Sequence, residues 1–177
     1  MTESTVQVCV LDDVGHINLR GDRHSVDFIT AVEYVIGQSL PVAANTMSEK
    51  EHRVFWIGPD EWLITTVADN TLGLLADLDK KLASHHAAVN DVSGGNIELR
   101  LSGKNVRDVL AKGCTLDFHE IVFGPGTCAQ SGLAKAAVLF GFVEAPHTFD
   151  IIVRRSFSDY LLRWLANAGC EYGIEFR

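Results

Sequence analysis

The chain has 177 residues, 47% of them hydrophobic, and a net charge of −8. A chain of that length buries roughly 70% of its unfolded surface and needs no disulfide or metal staples. The negative field, with no run of Lys or Arg, disfavours nucleic acid as a partner. No stretch approaches the ~20 apolar residues of a membrane helix.

Val6 to Leu11 alternates loosely and predicts a strand, and Ile17 to Leu19 a second, short one. Ser25 is a plausible N-cap for a helix with Phe28, Val32, Val35 and Ile36 on one face, ended by Gly37. Asn45 to His52 is polar and reads as a mobile loop. Val54 to Ile57 and Trp62 to Val67 form a hairpin about Gly58-Pro59-Asp60, where Pro fixes φ and Asp can bond its own backbone. Asp69 or Asn70 caps the next helix, whose stripe is Leu72, Leu75, Leu78 and Leu82; Ala87 to Val92 is a strand.

Ile97, Leu99 and Leu101 alternate with Glu98, Arg100 and Ser102, the pattern of a strand with one buried face. A short helix then turns Val106, Val109 and Leu110 inward and stops at Gly113. A loop from Thr115 to Gly126 closes on Gly124-Pro125-Gly126. Strands follow at Cys128 to Leu133, at Ala137 to Val143, and around Phe149, Ile151 and Val153. Ser156 caps the last helix, with Asp159 in the capping-box position and a stripe of Phe157, Tyr160, Leu161, Trp164, Leu165 and Ala168.

Glu61 to Leu82 and Thr148 to Gly169 share one order: turn, strand, polar cap, amphipathic helix. The pattern predicts an α+β fold with a mostly antiparallel sheet, flanking helices and an internal strand-helix pseudo-repeat, in a single domain over 1–177. Strands cluster at hairpin turns, which argues against a doubly wound parallel sheet.

Catalytic motifs are absent. No glycine-rich phosphate loop, H-E-x-x-H helix or G-x-S-x-G elbow occurs. His85 and His86 precede a strand, where neighbours point to opposite faces, so they do not share a metal. His119-Glu120 could form a general acid/base pair, but a polar loop explains it more simply. Cys114 follows a helix C-terminus, whose negative end raises a thiol pKa. The four cysteines, Cys9, Cys114, Cys128 and Cys170, lack C-x-x-C spacing and read as reduced thiols, mostly packed. No catalytic, cofactor-binding or metal residue is assigned. The Met1-Thr2-Glu3-Ser4-Thr5 start has no signal-peptide character, so a cytoplasmic protein is expected.

A resemblance is carried by Asp91-Val92-Ser93, the strand Ile97 to Leu101, Ser102 to Leu110, Phe123 to Cys128, and Phe149 to Val153 with the closing helix. This order resembles the folate-binding fold of the glycine-cleavage T-protein, also described as T-protein/TrmE N-terminal-like. Trp56 to Leu63, Leu110 to Asp117, Pro125 to Gln130, and Arg154-Arg155-Ser156-Phe157 leading into Tyr160-Leu161 resemble, within that fold, the gamma-subunit family of heterotetrameric sarcosine oxidase. The likeness covers Val54 to Ala168 and is loose over the first ~50 residues.

The resemblance implies a cofactor-free subunit of a complex that oxidises sarcosine to glycine and hydrogen peroxide, with the one-carbon unit passing to tetrahydrofolate or leaving as formaldehyde. The implied partners are alpha, beta and delta subunits, chiefly alpha, with FAD, FMN, NAD, tetrahydrofolate and zinc held by those other subunits. The corresponding subunit of a related N-methyl amino acid dehydrogenase, an autonomous folate-binding one-carbon transferase and a solitary adaptor are the alternatives. Folate-binding relatives keep a carboxylate on the second hairpin strand. Here that strand reads Val138-Leu139-Phe140-Gly141-Phe142-Val143, with Glu144 only at its end. Phe118, Ile121, Val122 and Phe123 crowd one loop; they are either a subunit interface or the lid of the core beneath the hairpin.

Overall fold

The structure, a computed structural model, describes residues 5–143 and 147–177. The chain divides into two compact units. One is built from Asp13–Gly94, the other from the first strand and the chain from Gly95 onward.

The Asp13–Gly94 unit contains β2 (Val14–Arg20), α1 (Val26–Ile36), β3 (Met47–Glu49), β4 (Arg53–Gly58), β5 (Glu61–Val67), α2 (Thr71–Leu82) and β6 (Ala88–Asp91). Its sheet runs β3-β4-β5-β2-β6, antiparallel throughout. Ile17, Leu19, Val54, Trp62 and Ile64 on one sheet face meet Phe28, Val32, Ile36, Leu74, Leu78 and Leu82 of the two helices. The Trp62 indole N–H, buried with the rest, donates to the Pro41 carbonyl at 2.6 Å, so burial leaves no orphaned donor.

The other unit contains β1 (Val6–Leu11), β7 (Asn96–Ser102), α3 (Val106–Ala111), β8 (Cys128–Leu133), β9 (Ala136–Val143), β10 (Thr148–Arg154), α4 (Ser158–Ala168) and β11 (Ile174–Phe176). Its sheet runs β8-β9-β10-β7-β1-β11. Only the β1–β11 pair is parallel among the pairings of the described residues. The pseudo-repeat is therefore real. Strand, helix, three-strand meander and helix occur in the same order in each unit. Ile17 pairs with Ile64 as Leu99 pairs with Ile151. The place beside β2 that β6 fills is filled beside β7 by β1, and β11 lies beyond it.

Several sequence expectations change. The polar stretch Asn45 to His52 contains the short edge strand β3, because Met47–Glu49 can pair with β4 through backbone alone. On α2, Leu72 is 72% exposed and Leu74 takes its place; Thr71, Leu74, Leu78 and Leu82 form the buried stripe. The helix begins directly after Asn70, as expected; a 3-10 turn, Ala68–Asn70, precedes it, and no side chain caps α2. Helix α4 is likewise preceded by a 3-10 turn, Arg155–Phe157, and no side-chain capping box forms around Ser156. Phe157 is left 38% exposed, while Leu161, Leu165 and Ala168 are buried. On strand β7 burial extends to the polar face: Glu98 is covered as fully as Leu99 and Leu101, and Asn96 is buried as well. Ser25 does cap α1, accepting from Phe28 N–H, and Gly37 ends it in the left-handed region at φ 66°.

Candidate functional site

Strand β9, which holds the row Val138 to Val143, is apolar on both faces. Val138, Phe140 and Phe142 of β9 enter the core, where Phe118, Phe123 and Phe149 pack around them with ring centroids 5.2–5.8 Å apart. Leu139, on the reverse face, is also buried. Glu144 lies outside the described residues. Directly across from Gly141 stands Asp150 of β10, fully buried. It is engaged by its other neighbour. Arg100 of β7 donates from Nε to Oδ1 at 2.7 Å and from Nη2 to Oδ2 at 2.8 Å. A carboxylate held bidentately is committed to structure, and moving it onto a ligand amine would strand a guanidinium.

A second cluster lies at the loop after α3. Arg107, in the first turn of α3, sits beside the buried Val106 and reaches across the loop. Its Nη1 donates to the carbonyls of Phe118 and of Phe123, the latter at 3.3 Å. Its Nε faces His147 Nδ1 at 3.4 Å, and the guanidinium stacks over Phe149 at 5.0 Å and Phe142 at 5.4 Å. Burial lowers the Arg107 pKa from its ordinary value, and nearby Glu120 opposes that shift. His147, held at φ 58°, lies 3.8 Å from Glu120. Together with Gly124, Pro125 and Phe142 they line a cavity of about 320 Å³.

The four apolar residues of the loop divide. Phe118 and Phe123 are core residues, 4% and 3% exposed; Ile121 and Val122 point outward, 89% and 56% exposed. His119 and Glu120 do not act as a pair. His119 Nδ1 accepts from the Ile121 N–H at 3.3 Å, and Glu120 faces His147 instead. Sequence reasoning missed Arg107 and His147, which no spacing rule connects across 40 residues. The only signal was a basic residue in the first turn of a helix whose Val106, Val109 and Leu110 face inward.

Elsewhere, the His85 ring meets Ser84 Oγ at 3.4 Å and the Phe28 ring at a centroid distance of 6.3 Å, and His86 lines a separate open cavity with Arg20 and Asp60. Among the described residues no group of three or more His, Cys, Asp or Glu is arranged to hold a metal ion. All four cysteines are free: Cys114 and Cys128 are buried, Cys9 is half-buried, and Cys170 is exposed. Asp91-Val92-Ser93 is a clamp rather than a site. Ser93 donates to Asp91 from both N–H and Oγ, and its hydroxyl accepts from the His16 N–H at 2.9 Å, fixing the end of β6 against β2. These bonds hold the Asp91 carboxyl below its usual pKa. No helix among the described residues is long and apolar enough to cross a membrane.

Residues 20–171 match the model of the sarcosine oxidase, gamma subunit family. The chain belongs to that family. The family match begins at residue 20, well before Val54, and so takes in most of the loosely matching first ~50 residues. The gamma subunit of sarcosine oxidase from Corynebacterium sp. (strain P-1) is 30% identical over 176 residues, covering 98% of this chain and 85% of that protein. The gamma subunit from an Arthrobacter species is 31% identical over 144 residues, covering 80% of this chain and 70% of that protein. In solved structures, a chain of the heterotetrameric sarcosine oxidase from Corynebacterium sp. U-96 superposes with a TM-score of 0.87 at 27% identity, covering 95% of this chain and 85% of that one. The glycine cleavage system aminomethyltransferase T of Bartonella henselae superposes at 0.70 with 16% identity, covering 99% of this chain and 48% of that one, which shows a shared fold.

Proposed function

We propose that this chain is a non-catalytic, cofactor-free gamma subunit of a heterotetrameric sarcosine oxidase. The assembled complex converts sarcosine, oxygen and water to glycine, hydrogen peroxide and formaldehyde, or passes the one-carbon unit to tetrahydrofolate. FAD, FMN, NAD, tetrahydrofolate and zinc belong to the other subunits in this reading. The alpha subunit is its chief neighbour, with beta and delta completing a cytoplasmic complex.

The observation that carries the reading is the Arg100–Asp150 pair beside an apolar β9. The family's fold is kept, while the buried carboxylate nearest the working strand is spent on an ion pair. A folate-dependent transferase needs a free acceptor there to orient an amine. The gamma subunits of Corynebacterium and Arthrobacter, 30% and 31% identical to this chain, support the assignment to such a complex.

The test uses the purified full chain alone. We expect a colourless protein with no sarcosine-dependent oxygen uptake and no heat of binding to tetrahydrofolate. Saturable tetrahydrofolate binding by the isolated chain would overturn the reading in favour of a transferase. Turnover of N-methylglutamate but not sarcosine by the assembled complex would move it to the related dehydrogenase.

A further inference from the structure

We infer that the loop tip Ile121-Val122 is the element this chain inserts into a larger partner subunit, and that the partner offers an apolar cleft rimmed by Lys or Arg. The inference rests on the assembly proposed above, and it names the surface and the chemistry of the contact.

Exposed apolar side chains occur elsewhere, but singly: Val26, Tyr34, Val42, Val67, Leu72, Phe157 and Phe176. Ile121 and Val122 are the one place among the described residues where two consecutive large apolar side chains face solvent. Scattered single residues need no explanation, whereas a doubled apolar tip does.

The tip is also built in advance. Phe118 and Phe123 anchor both sides of it in the core, their rings 5.6 Å apart. Arg107 fastens the carbonyl of each anchor. Asp117 Oδ1 accepts from the His119 N–H at 2.9 Å. The His119 carbonyl accepts from Val122 N–H at 2.9 Å and Phe123 N–H at 2.8 Å, and its ring accepts from Ile121 N–H. A tip with its backbone already fixed loses little conformational entropy on docking, which favours tight association.

The formal charges of the loop itself have one sign. From Gly113 to Ala134 the only formally charged side chains are Asp117 and Glu120, and both are exposed beside the tip. Arg107 directs its Nη1 inward to the two anchor carbonyls and its Nε toward His147, which lies 3.8 Å from Glu120. An apolar centre with an acidic rim is complementary to an apolar cleft with a basic rim, and such rims steer association and set its salt dependence.

The experiment co-expresses the full chain with the larger subunits and measures native mass and the dissociation constant of the complex. Three variants are compared with wild type: Ile121→Asp with Val122→Asp; Asp117→Lys with Glu120→Lys; and Leu72→Asp, an equally exposed control on α2. All changed positions are exposed, and unchanged thermal midpoints confirm folding. The tip variant is expected to weaken the complex by about tenfold or more. The lysine pair is expected to slow association and to lose the wild-type sensitivity to salt, and Leu72→Asp to assemble as wild type does. Wild-type affinity in the tip variant overturns this inference while leaving the assembly intact. A wild-type chain that never joins the complex overturns the assembly itself and this surface with it.

Discussion

Arg100 grips Asp150 across adjacent strands, Nε to Oδ1 at 2.7 Å and Nη2 to Oδ2 at 2.8 Å, with the carboxylate fully buried and the guanidinium reaching partly to solvent. Arg100→Leu removes the bidentate partner of a buried charge and should cost about 3 kcal/mol, the low end for breaking such a pair because Arg100 is not itself buried. Replacing both with Leu should recover most of the loss, since the buried charge goes with its partner. Urea denaturation of the two variants checks this. Equal destabilisation by the single and double variants would show that the pair does not act as a unit.

Phe118 and Ile121 lie three residues apart and should behave as opposites. Phe118→Ala empties a site among Phe123, Phe140 and Phe149 and should cost about 3 kcal/mol. Ile121→Ala, at 89% exposure, should stay within about 0.5 kcal/mol in the free chain. Thermal melts of the isolated chain separate the two, and comparable losses would contradict the division of the loop into anchors and tip.

Gly103 sits at φ +121°, where a Cβ would lie 2.2 Å from the Thr5 carbonyl oxygen. Both the backbone conformation and the close approach require glycine. Gly103→Ala should therefore cost about 2 kcal/mol or more and loosen the start of α3 against β1. Hydrogen exchange at Asn105, whose N–H meets the Thr5 carbonyl, reads this locally.

His52 is buried, its Nδ1 3.0 Å from Thr66 Oγ1. Burial lowers its pKa below the ordinary 6.5, with Glu51 pulling weakly the other way. The unfolded chain therefore binds the proton more readily than the folded one. The stability due to this group is full above pH 6.5 and falls as pH drops below it. Unfolding free energies at about pH 7.5 and about pH 5.5 should differ less in His52→Gln than in wild type. An identical pH dependence in the two proteins would refute the assignment.

Much of the fold was legible because hydrophobic period and turn chemistry agreed. Ser25 and Gly37 bound α1, and Gly58-Pro59-Asp60 turns β4 into β5. Less legible was whatever depends on pairing or on 3-10 geometry. Met47–Glu49 carries no strand pattern and pairs through its backbone. The turn at Arg155–Phe157 moved the start of α4 past Ser156; on α2 the cap fell at Asn70 as expected, but Thr71 and Leu74 rather than Leu72 joined the buried stripe. Glu98 and Asp150 look like the wet side of alternating strands, yet both are buried. Alternation reports which residues are apolar, and it cannot report that the reverse face is covered as well. For the candidate site, the apolar row Val138 to Val143 was readable directly. The Arg100–Asp150 lock and the Arg107 fastening required the register of β7 against β10 and the path of the loop.

As proposed above, this chain works only as part of a larger flavoenzyme. Co-expression with the adjacent genes, followed by native mass measurement and a visible spectrum of the purified species, tests it most directly. The account predicts one copy of this 177-residue chain in a heterotetramer, with the flavin absorbance travelling with the complex and none with the free chain. A stable species of this chain alone, never joining the larger subunits while they assemble and oxidise sarcosine without it, would contradict the account.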